Sequence, residues 1–207
     1  MKIIKIKEDI TPEIAKTFKE SIAIDTEATG LQIPERDKLS LIQICDQHDN
    51  VFIIQPNKNS YKAPNLTSVL EDEKILKIGH FLRFDKNALE FFLKCKIKNI
   101  FDTKIASKIV RTYTDAHGLK NLVLEFCNKN LDKRQGSSDW NKDIDELTDK
   151  QLEYAANDVI FLHKIKSELE KMLKRENREE IFKRCLAFLD TRVELDQKGF
   201  KEDIFEH

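Results

Sequence analysis

The stretch IAIDTEATGL, residues 22–31, places two acids inside a run that otherwise has the apolar character of a buried strand. Successive side chains of a strand point to opposite faces, so Asp25 and Glu27 share one face while Thr26 lies on the other. Ionised carboxylates are rarely buried unless they are paired or bound to a metal. Two acids on one face of a core strand therefore indicate a divalent-cation site, because such hard cations prefer oxygen ligands.

Two later segments contain further acids in apolar surroundings. In IGHFLRFDKNAL, residues 78–89, Asp85 falls in the first turn of a helix, where an acid also complements the helix dipole. In EYAANDVIFLH, residues 153–163, Tyr154 and Asp158 are four residues apart and so lie one turn from each other on a helix face. Each segment alone has an ordinary structural explanation. Four acids and a tyrosine in three separated segments, however, form a specific constellation.

Composition restricts the function classes that the chain can belong to. With 207 residues, 40% of them hydrophobic and 35% charged, the chain fits one globular domain and not a disordered or membrane protein. The N-terminal MKIIKIKEDI alternates lysine and isoleucine as a strand does, unlike a signal peptide. The four cysteines are widely separated with no CxxC pair, which predicts reduced thiols in a cytoplasmic protein. A net charge of −1 argues against a protein that binds long nucleic acid chiefly through phosphates.

The hydrophobic periodicity predicts strands first and helices later. The predicted strands are 2–7, 21–27, 39–45, 51–55 and 74–80, and the predicted helices are 11–20, 65–72, 83–95, 103–113, 118–130, 149–174 and 177–190. Thr148 and Gln151 form a capping box at the start of helix 149–174. The close spacing of three strands predicts a meander, so the expected fold class is α/β (α+β), with a mixed β-sheet flanked by helices. We expect a single domain over 1–207, with 172–207 as a C-terminal helical extension.

The three acidic motifs and their order resemble those of the DEDD superfamily of metal-dependent 3′–5′ exonucleases, in its tyrosine (DEDDy) branch. SSDW (137–140) and EYAANDVIFLH are similar to the catalytic domain of ribonuclease D. TKIASKIVRTYTDAHGLK (103–120) and DIFEH (203–207) are more similar to nanoRNase C, a compact diribonuclease. Ribonuclease D continues into helical accessory domains, for which this chain is too short. The resemblance implies a ribonuclease H-like fold and hydrolysis of very short RNAs, especially dinucleotides, to nucleoside 5′-monophosphates.

The resemblance also implies the cofactors and the catalytic residues. Two divalent ions, Mg²⁺ or Mn²⁺, would activate a water and stabilise the departing 3′ oxygen. Their expected ligands are Asp25, Glu27, Asp85 and Asp158. Tyr154 is expected to orient the attacking water, because a phenol with a pKa near 10 is a poor base at neutral pH.

The substrate contacts are predicted from the positions that match related exonucleases. Leu31, just after Gly30, would lie between the two terminal bases, as a leucine does in related oligoribonucleases; the alternative is that it packs the strand end. The backbone around Glu27 and Ala28 would contact the 3′-terminal sugar, where a 2′-hydroxyl contact favours RNA, and Thr26 is a further candidate for substrate binding. The candidates for binding the 5′ phosphate include His80, Arg83, Arg111 and Ser138. Trp140 either stacks on a base or anchors its loop.

The implied partners are short single-stranded RNA, dinucleotides above all, and further copies of the chain in a homo-oligomer, possibly an octamer. Two alternatives share the enzyme class: a ribonuclease D-like exonuclease that trims longer RNA, and an exonuclease that acts on DNA. A third is an inactive nucleic-acid-binding module that kept the fold, but no predicted metal ligand is lost from this sequence.

Overall fold

A central sheet organises the computed structural model, which describes residues 1–33, 35–131, 138–200, 202 and 204. Its strands are β1 (Lys2–Lys7), β2 (Ser21–Ala28), β3 (Leu39–Cys45), β4 (Asn50–Gln55), β5 (Leu76–Gly79) and β6 (Ile100–Asp102). Among the described residues they form one six-stranded sheet in the order β1-β4-β3-β2-β5-β6. The sheet is mixed, as predicted: β2, β3 and β4 form an antiparallel meander, whereas the pairs β1–β4, β2–β5 and β5–β6 are parallel.

Helices cover both faces of this sheet. They are α1 (Pro12–Ala15), α2 (Pro64–Glu71), α3 (Leu82–Leu93), α4 (Thr103–Val110), α5 (Leu119–Cys127), α6 (Asp149–Asn157), α7 (Leu162–Arg175) and α8 (Glu179–Gln197), with a short 3₁₀ turn at Ile144–Glu146. On β2, Ile22 and Ile24 belong to the core cluster that includes residues of α2 and α3. Ala23 belongs to the other cluster, with residues of α4 to α7. The predicted alternation of β2 is therefore confirmed, and it divides the core into two layers.

The long helix predicted over 149–174 is instead two helices. Thr148 and Gln151 make the predicted capping box, but α6 ends at Asn157 and α7 begins only at Leu162. The sequence of the intervening residues has no glycine or proline to signal a break. Val159 is fully buried there, so packing of this turn into the core decides the bend. As a result, Asp158 lies at the C-terminal end of α6 and not inside a continuous helix.

Other boundaries also differ from the sequence-based expectations. The strand β6, three residues long, was not predicted because it is too short to show an alternating pattern. The last helix runs to Gln197, beyond the predicted end at 190, and the predicted extension from 172 begins inside α7. Residues 132–137 and most of the DIFEH segment lie outside the described residues.

Two further expectations concern the environment of the chain. All four cysteines are free thiols, and Cys45 and Cys95 are buried. Burial raises the pKa of both thiols to about 12, so these two are packed as unreactive apolar groups. Within the described ranges, no helix combines the length and the apolar character that crossing a bilayer requires.

One buried carboxylate joins the N-termini of α3 and α4. Asp102 accepts hydrogen bonds from the backbone N–H groups of Phe81 (3.3 Å) and Leu82 (2.7 Å) at the start of α3. The same carboxylate caps α4 by accepting from Lys104 (2.8 Å) and Ile105 (3.0 Å). Phe81 has a left-handed backbone with φ of 69°, which costs a non-glycine residue about 1–2 kcal/mol. The bonds to Asp102 offset this strain and fix the point at which α3 leaves the sheet.

Replacing Asp102 by alanine should destabilise the protein by about 2–4 kcal/mol, because two helix caps are lost and buried N–H groups are left unpaired. Urea unfolding followed by circular dichroism measures this loss. A matched control is Thr11→Ala, which removes the cap of the exposed four-residue helix α1 and should cost less than about 1 kcal/mol. Equal losses in the two variants would contradict the role of Asp102 as a joint between two helices.

Candidate active site

Three carboxylates converge beside the middle of the sheet. One carboxylate oxygen from each of Asp25, Glu27 and Asp158 lies within 4.8 Å of the others. Asp25 and Glu27 come from β2, on the same face as Ala23, and Asp158 comes from the end of α6, which packs in that layer. The register of β2 against β3 shifts directly after Glu27. Such an irregularity bends a strand and redirects the residues beyond it.

The donor set of this cluster fits a divalent cation. Asp158 is buried, and Asp25 and Glu27 are half-buried. Like charges at such short distances repel each other strongly in surroundings of low polarity. A hard cation such as Mg²⁺ removes this repulsion and takes carboxylate oxygens as its preferred ligands. The residues present therefore suit a divalent metal ion.

Asp85 does not belong to this group of three. It lies buried in the first turn of α3, and its Oδ1 accepts a hydrogen bond of 2.6 Å from the hydroxyl of Thr26. The pKa of Asp85 is raised to about 7, chiefly by burial and also by the charge of Asp102, while the hydrogen bond from Thr26 opposes the shift. The structure thus brings three of the four predicted acids together. It connects the fourth acid, Asp85, to them through Thr26, the residue between Asp25 and Glu27.

Tyr154 lies on α6, one turn before Asp158. Burial raises the pKa of its hydroxyl, and the negative charges of Asp158, Glu27 and Asp25 raise it further, as does a hydrogen bond with Asp158. The phenol therefore stays protonated at neutral pH. A protonated phenol beside a metal cluster can orient a water by hydrogen bonding, but it cannot serve as a base.

Trp140 packs behind the tyrosine. Its ring centroid is 6.0 Å from that of Tyr154, and only 3% of Trp140 is exposed. Of the two roles that the sequence left open, stacking on a substrate base requires an exposed ring, so the structure favours the anchor.

Two residues that the sequence analysis missed hold the loop of Trp140. The side chain of Gln55 donates to the carbonyl of Lys142 (2.7 Å) and accepts from the N–H of Ile144 (3.0 Å). Lys58 donates to the carbonyl (2.9 Å) and the side-chain oxygen (2.8 Å) of Asn141. These contacts join residues more than eighty positions apart in the chain, so no local pattern could have signalled them.

Arg111, a predicted phosphate ligand, is instead part of the scaffold. Only 2% of this residue is exposed. Its guanidinium pairs with Glu125 and donates to the Ser107 hydroxyl (3.0 Å) and to the carbonyl of Ala116 (2.8 Å). Because burial and these acceptors occupy the planar fork, its surroundings do not support the prediction that Arg111 binds the 5′ phosphate.

Two other phosphate candidates lie near the start of α3. His80 Nδ1 is 2.9 Å from the hydroxyl of Thr103, which itself donates to the carbonyl of Gly79 (3.0 Å). Since that hydroxyl has a single proton, Nδ1 of His80 must be the donor in their bond. Arg83 forms a two-bond fork with Asp196 of α8, with both distances 2.7 Å.

The remaining candidate, Ser138, is half-buried. It directly follows the segment 132–137, and the neighbouring Ser137 of the SSDW motif falls within that segment, outside the described residues.

Leu31 projects into solvent at the end of β2. It is 85% exposed, which argues against the alternative that it packs the strand end. Its loop is held by Asp37, whose carboxylate accepts from the N–H of Gln32 (2.8 Å). A Cβ at Gly30 would lie 2.5 Å from the same carboxylate, so a larger residue there would displace Asp37 from this position. Leu31 borders a groove of about 380 Å³ whose other lining residues include Phe81, Arg83, Phe84, Asn87 and Asp196.

Comparison with known proteins agrees with this geometry. A family model described as 3′–5′ exonuclease matches residues 2–174. Among curated relatives, DNA polymerase I of Aquifex aeolicus is 30% identical over 88% of this chain and 32% of its own length. Ribonuclease D of Gluconacetobacter diazotrophicus is 29% identical over 85% of this chain and 44% of its own length. The chain therefore spans less than half of the length of these relatives.

Solved structures extend the likeness over the whole chain. NrnC of Brucella melitensis with bound Mg²⁺ is 41% identical, with a TM-score of 0.91 and coverage of 100% of both chains. The same protein bound to pGG is 42% identical, with a TM-score of 0.92 and coverage of 100% of this chain and 99% of that one. The fold, the acidic cluster and the match over residues 2–174 lead to one conclusion: the chain belongs to the 3′–5′ exonuclease family.

Proposed function

We propose that this protein is a metal-dependent 3′–5′ exoribonuclease that hydrolyses very short RNAs, especially dinucleotides, to nucleoside 5′-monophosphates. The observation that carries the proposal is the convergence of Asp25, Glu27 and Asp158 beside Tyr154. The preference for short RNA is supported by the full-length likeness to NrnC, which has been solved with bound pGG. The slight net negative charge of the chain also fits a short substrate better than a long one.

In this proposal Asp25, Glu27 and Asp158 hold two divalent ions, Mg²⁺ or Mn²⁺, with Asp85 contributing from the side of Thr26. When bound, the ions supply Lewis-acid activation of water and neutralise the charge of the phosphate. Tyr154 orients the attacking water by a hydrogen bond, since its hydroxyl keeps its proton. Thr26 has a positioning role, because its bond to Asp85 sets the place of the fourth carboxylate relative to the strand.

The substrate would lie along the end of β2. Leu31 separates the two terminal bases, which fits its 85% exposure beside the groove. The backbone around Glu27 and Ala28 contacts the 3′-terminal sugar, with Thr26 as a further candidate for substrate binding. His80 and Arg83 remain the candidates for the 5′ phosphate at the start of α3, together with Ser138. Arg83 is paired with Asp196, but unlike the buried Arg111 its side chain is 36% exposed.

Homo-oligomer formation is a further part of the proposal. An apolar groove of about 530 Å³ runs between α4 and α8, and its lining residues include Ile105, Ile181, Cys185 and Phe188. Ile181 is 48% exposed and Phe188 is 40% exposed. An apolar surface of this kind on a helix is typical of a subunit contact.

A trimming exonuclease on longer RNA, or an exonuclease on DNA, is the second candidate function. The matches to ribonuclease D and to DNA polymerase I favour it, since the chain resembles a part of each of these longer proteins. The metal site itself serves either substrate equally well, so chain length is the property that separates the candidates.

The rate of hydrolysis should fall steeply with RNA length. We expect dinucleotides to be cleared at least about tenfold faster than RNAs of four to ten nucleotides, a difference of roughly 1.4 kcal/mol in transition-state stabilisation. The measurement uses 5′-labelled RNAs and matched DNAs with Mg²⁺ or Mn²⁺. Equal or faster degradation of the longer chains would replace the dinucleotide proposal with a trimming exonuclease.

Asp158→Asn should lower turnover by more than about a thousandfold, because the metal pair loses a ligand and the negative charge that holds it. Isothermal titration with Mn²⁺ should show weaker or absent binding in the same variant. Asp149→Asn, on the exposed first turn of α6, is the control and should retain both properties. An active Asp158→Asn enzyme would remove the basis of the assignment.

Tyr154→Phe should lower kcat by roughly a hundredfold while Mn²⁺ affinity stays within about twofold of the unmodified protein, because the hydroxyl orients water and does not bind metal. Tyr61→Phe is the matched control, since the hydroxyl of Tyr61 donates to the carbonyl of Leu39 (3.0 Å), outside the acidic cluster. If Tyr154→Phe weakens metal binding as strongly as Asp158→Asn, the hydroxyl has a structural role in the cluster.

A further inference from the structure

An exposed aromatic ring lies at the edge of the site with no role in the chemistry described so far. Phe81 is 44% exposed, and its backbone is in the left-handed region, with φ of 69°. Both features are unfavourable for a phenylalanine, which elsewhere would be buried with ordinary dihedral angles. Unfavourable local geometry that the surrounding structure maintains is concentrated at functional sites.

The surrounding structure holds this ring in place from two directions. Asp102 accepts hydrogen bonds from the N–H of Phe81 and from that of Leu82, which fixes the backbone. The ammonium of Lys104 lies over the ring, 4.1 Å from its centroid, in a cation–π contact that fixes the side chain. The ring is therefore presented to solvent in a defined orientation before any ligand binds.

The position of the ring points to a nucleotide base as its ligand. Phe81 lines the same groove as Leu31 and Phe84. Leu31 follows Glu27 by four residues, and Phe84 directly precedes Asp85, so the groove adjoins the elements that carry the acids. Leu31, beyond the end of β2, and the planar ring of Phe81, directly before α3, are both exposed and apolar, and they match the flat apolar faces of a base.

We propose that Phe81 is a stacking platform for one base of the bound nucleotide and determines affinity for it, with Leu31 as the second apolar contact. This inference rests on the proposed function, because it assigns a residue to the substrate of the same site. Stacking does not read base edges, so the platform accepts every base and favours purines, which have the larger ring surface. Substrates that lack a base at the stacked position should lose this contribution entirely.

The test compares Phe81→Ala and Phe81→Trp on dinucleotides that contain 2-aminopurine, whose fluorescence is quenched by stacking. Phe81→Ala should raise KM roughly tenfold and lose the quenching, whereas Phe81→Trp should keep the KM and the quenching of the unmodified protein. The control is Phe91→Ala on α3, the helix that Phe81 directly precedes. Phe91 also has a lysine ammonium, that of Lys94, over its ring at 4.2 Å, but it lies outside the groove. It should keep the KM of the unmodified protein.

Abasic dinucleotides make the test specific to the base. Removing the stacked base should raise KM about tenfold in the unmodified protein but little in Phe81→Ala, because the same contact is already absent. At one of the two nucleotide positions, the increases in KM caused by base removal and by Phe81→Ala should not be additive, and this position identifies the stacked base. Additive losses at both positions, or unchanged quenching in Phe81→Ala, would overturn the proposal.

Light scattering on the same variants separates base binding from subunit contact. If Phe81→Ala changes the oligomeric state while 2-aminopurine quenching persists, the ring belongs to an interface between copies and the proposal fails. If the unmodified protein hydrolyses only longer RNAs, the dinucleotide function fails by itself. The platform is then tested by the same quenching with 2-aminopurine at the 3′ end of a longer RNA, where loss in Phe81→Ala still supports it.

Discussion

The alternation of side chains along β2 determines where every acid of the site lies. Asp25 and Glu27 point into the layer of α6, where Asp158 meets them. Thr26 points into the layer of α3 and binds Asp85 there. A shift of one residue in the register of β2 would send both acids into the opposite, apolar layer. The geometry of the cluster is thus set by strand pairing, and the charge of a cation bound there would make the close approach of its acids tolerable.

Much of this arrangement could be predicted, because it depends on local patterns. The alternation in IAIDTEATGL, the capping box at Thr148 and the one-turn spacing of Tyr154 and Asp158 each involve residues fewer than ten positions apart. Periodicity and capping are the properties that a sequence displays directly. The meander and the mixed sheet followed from the spacing of the strands.

What could not be predicted depends on contacts between distant segments. Nothing in the sequence around Arg111 shows that Glu125 and the Ala116 carbonyl will surround its guanidinium, so its role as scaffold could not be foreseen. The break between α6 and α7 arises from packing of Val159 and has no local signal. The expectation that Asp85 joins the other acids in a single cluster came from the order of the motifs along the chain, whereas the distance of Asp85 from those acids is set by the fold.

The helix α8 shows that the scaffold of the site extends beyond the region that defines the family. The family match ends at residue 174, yet α8 (Glu179–Gln197) packs against α3, the helix of Asp85. Arg83 and Lys86, on successive turns of α3, pair with Asp196 and Asp190 of α8.

The first of these pairs is reinforced, and the second joins a buried lysine to an exposed aspartate. Asp196 also accepts from Arg192 at 2.9 Å, and Lys86 is 1% exposed and additionally paired with Glu90. The buried Lys86–Glu90 pair contributes little net stability, because both charges lose their hydration, but leaving Lys86 without partners would be costly. The pairs that Arg83 and Lys86 form with α8 permit one arrangement of the two helices and penalise others. Since Phe81, Arg83 and Asp85 all lie in the first turns of α3 or directly before it, fixing that helix fixes the rim of the groove and the fourth carboxylate together.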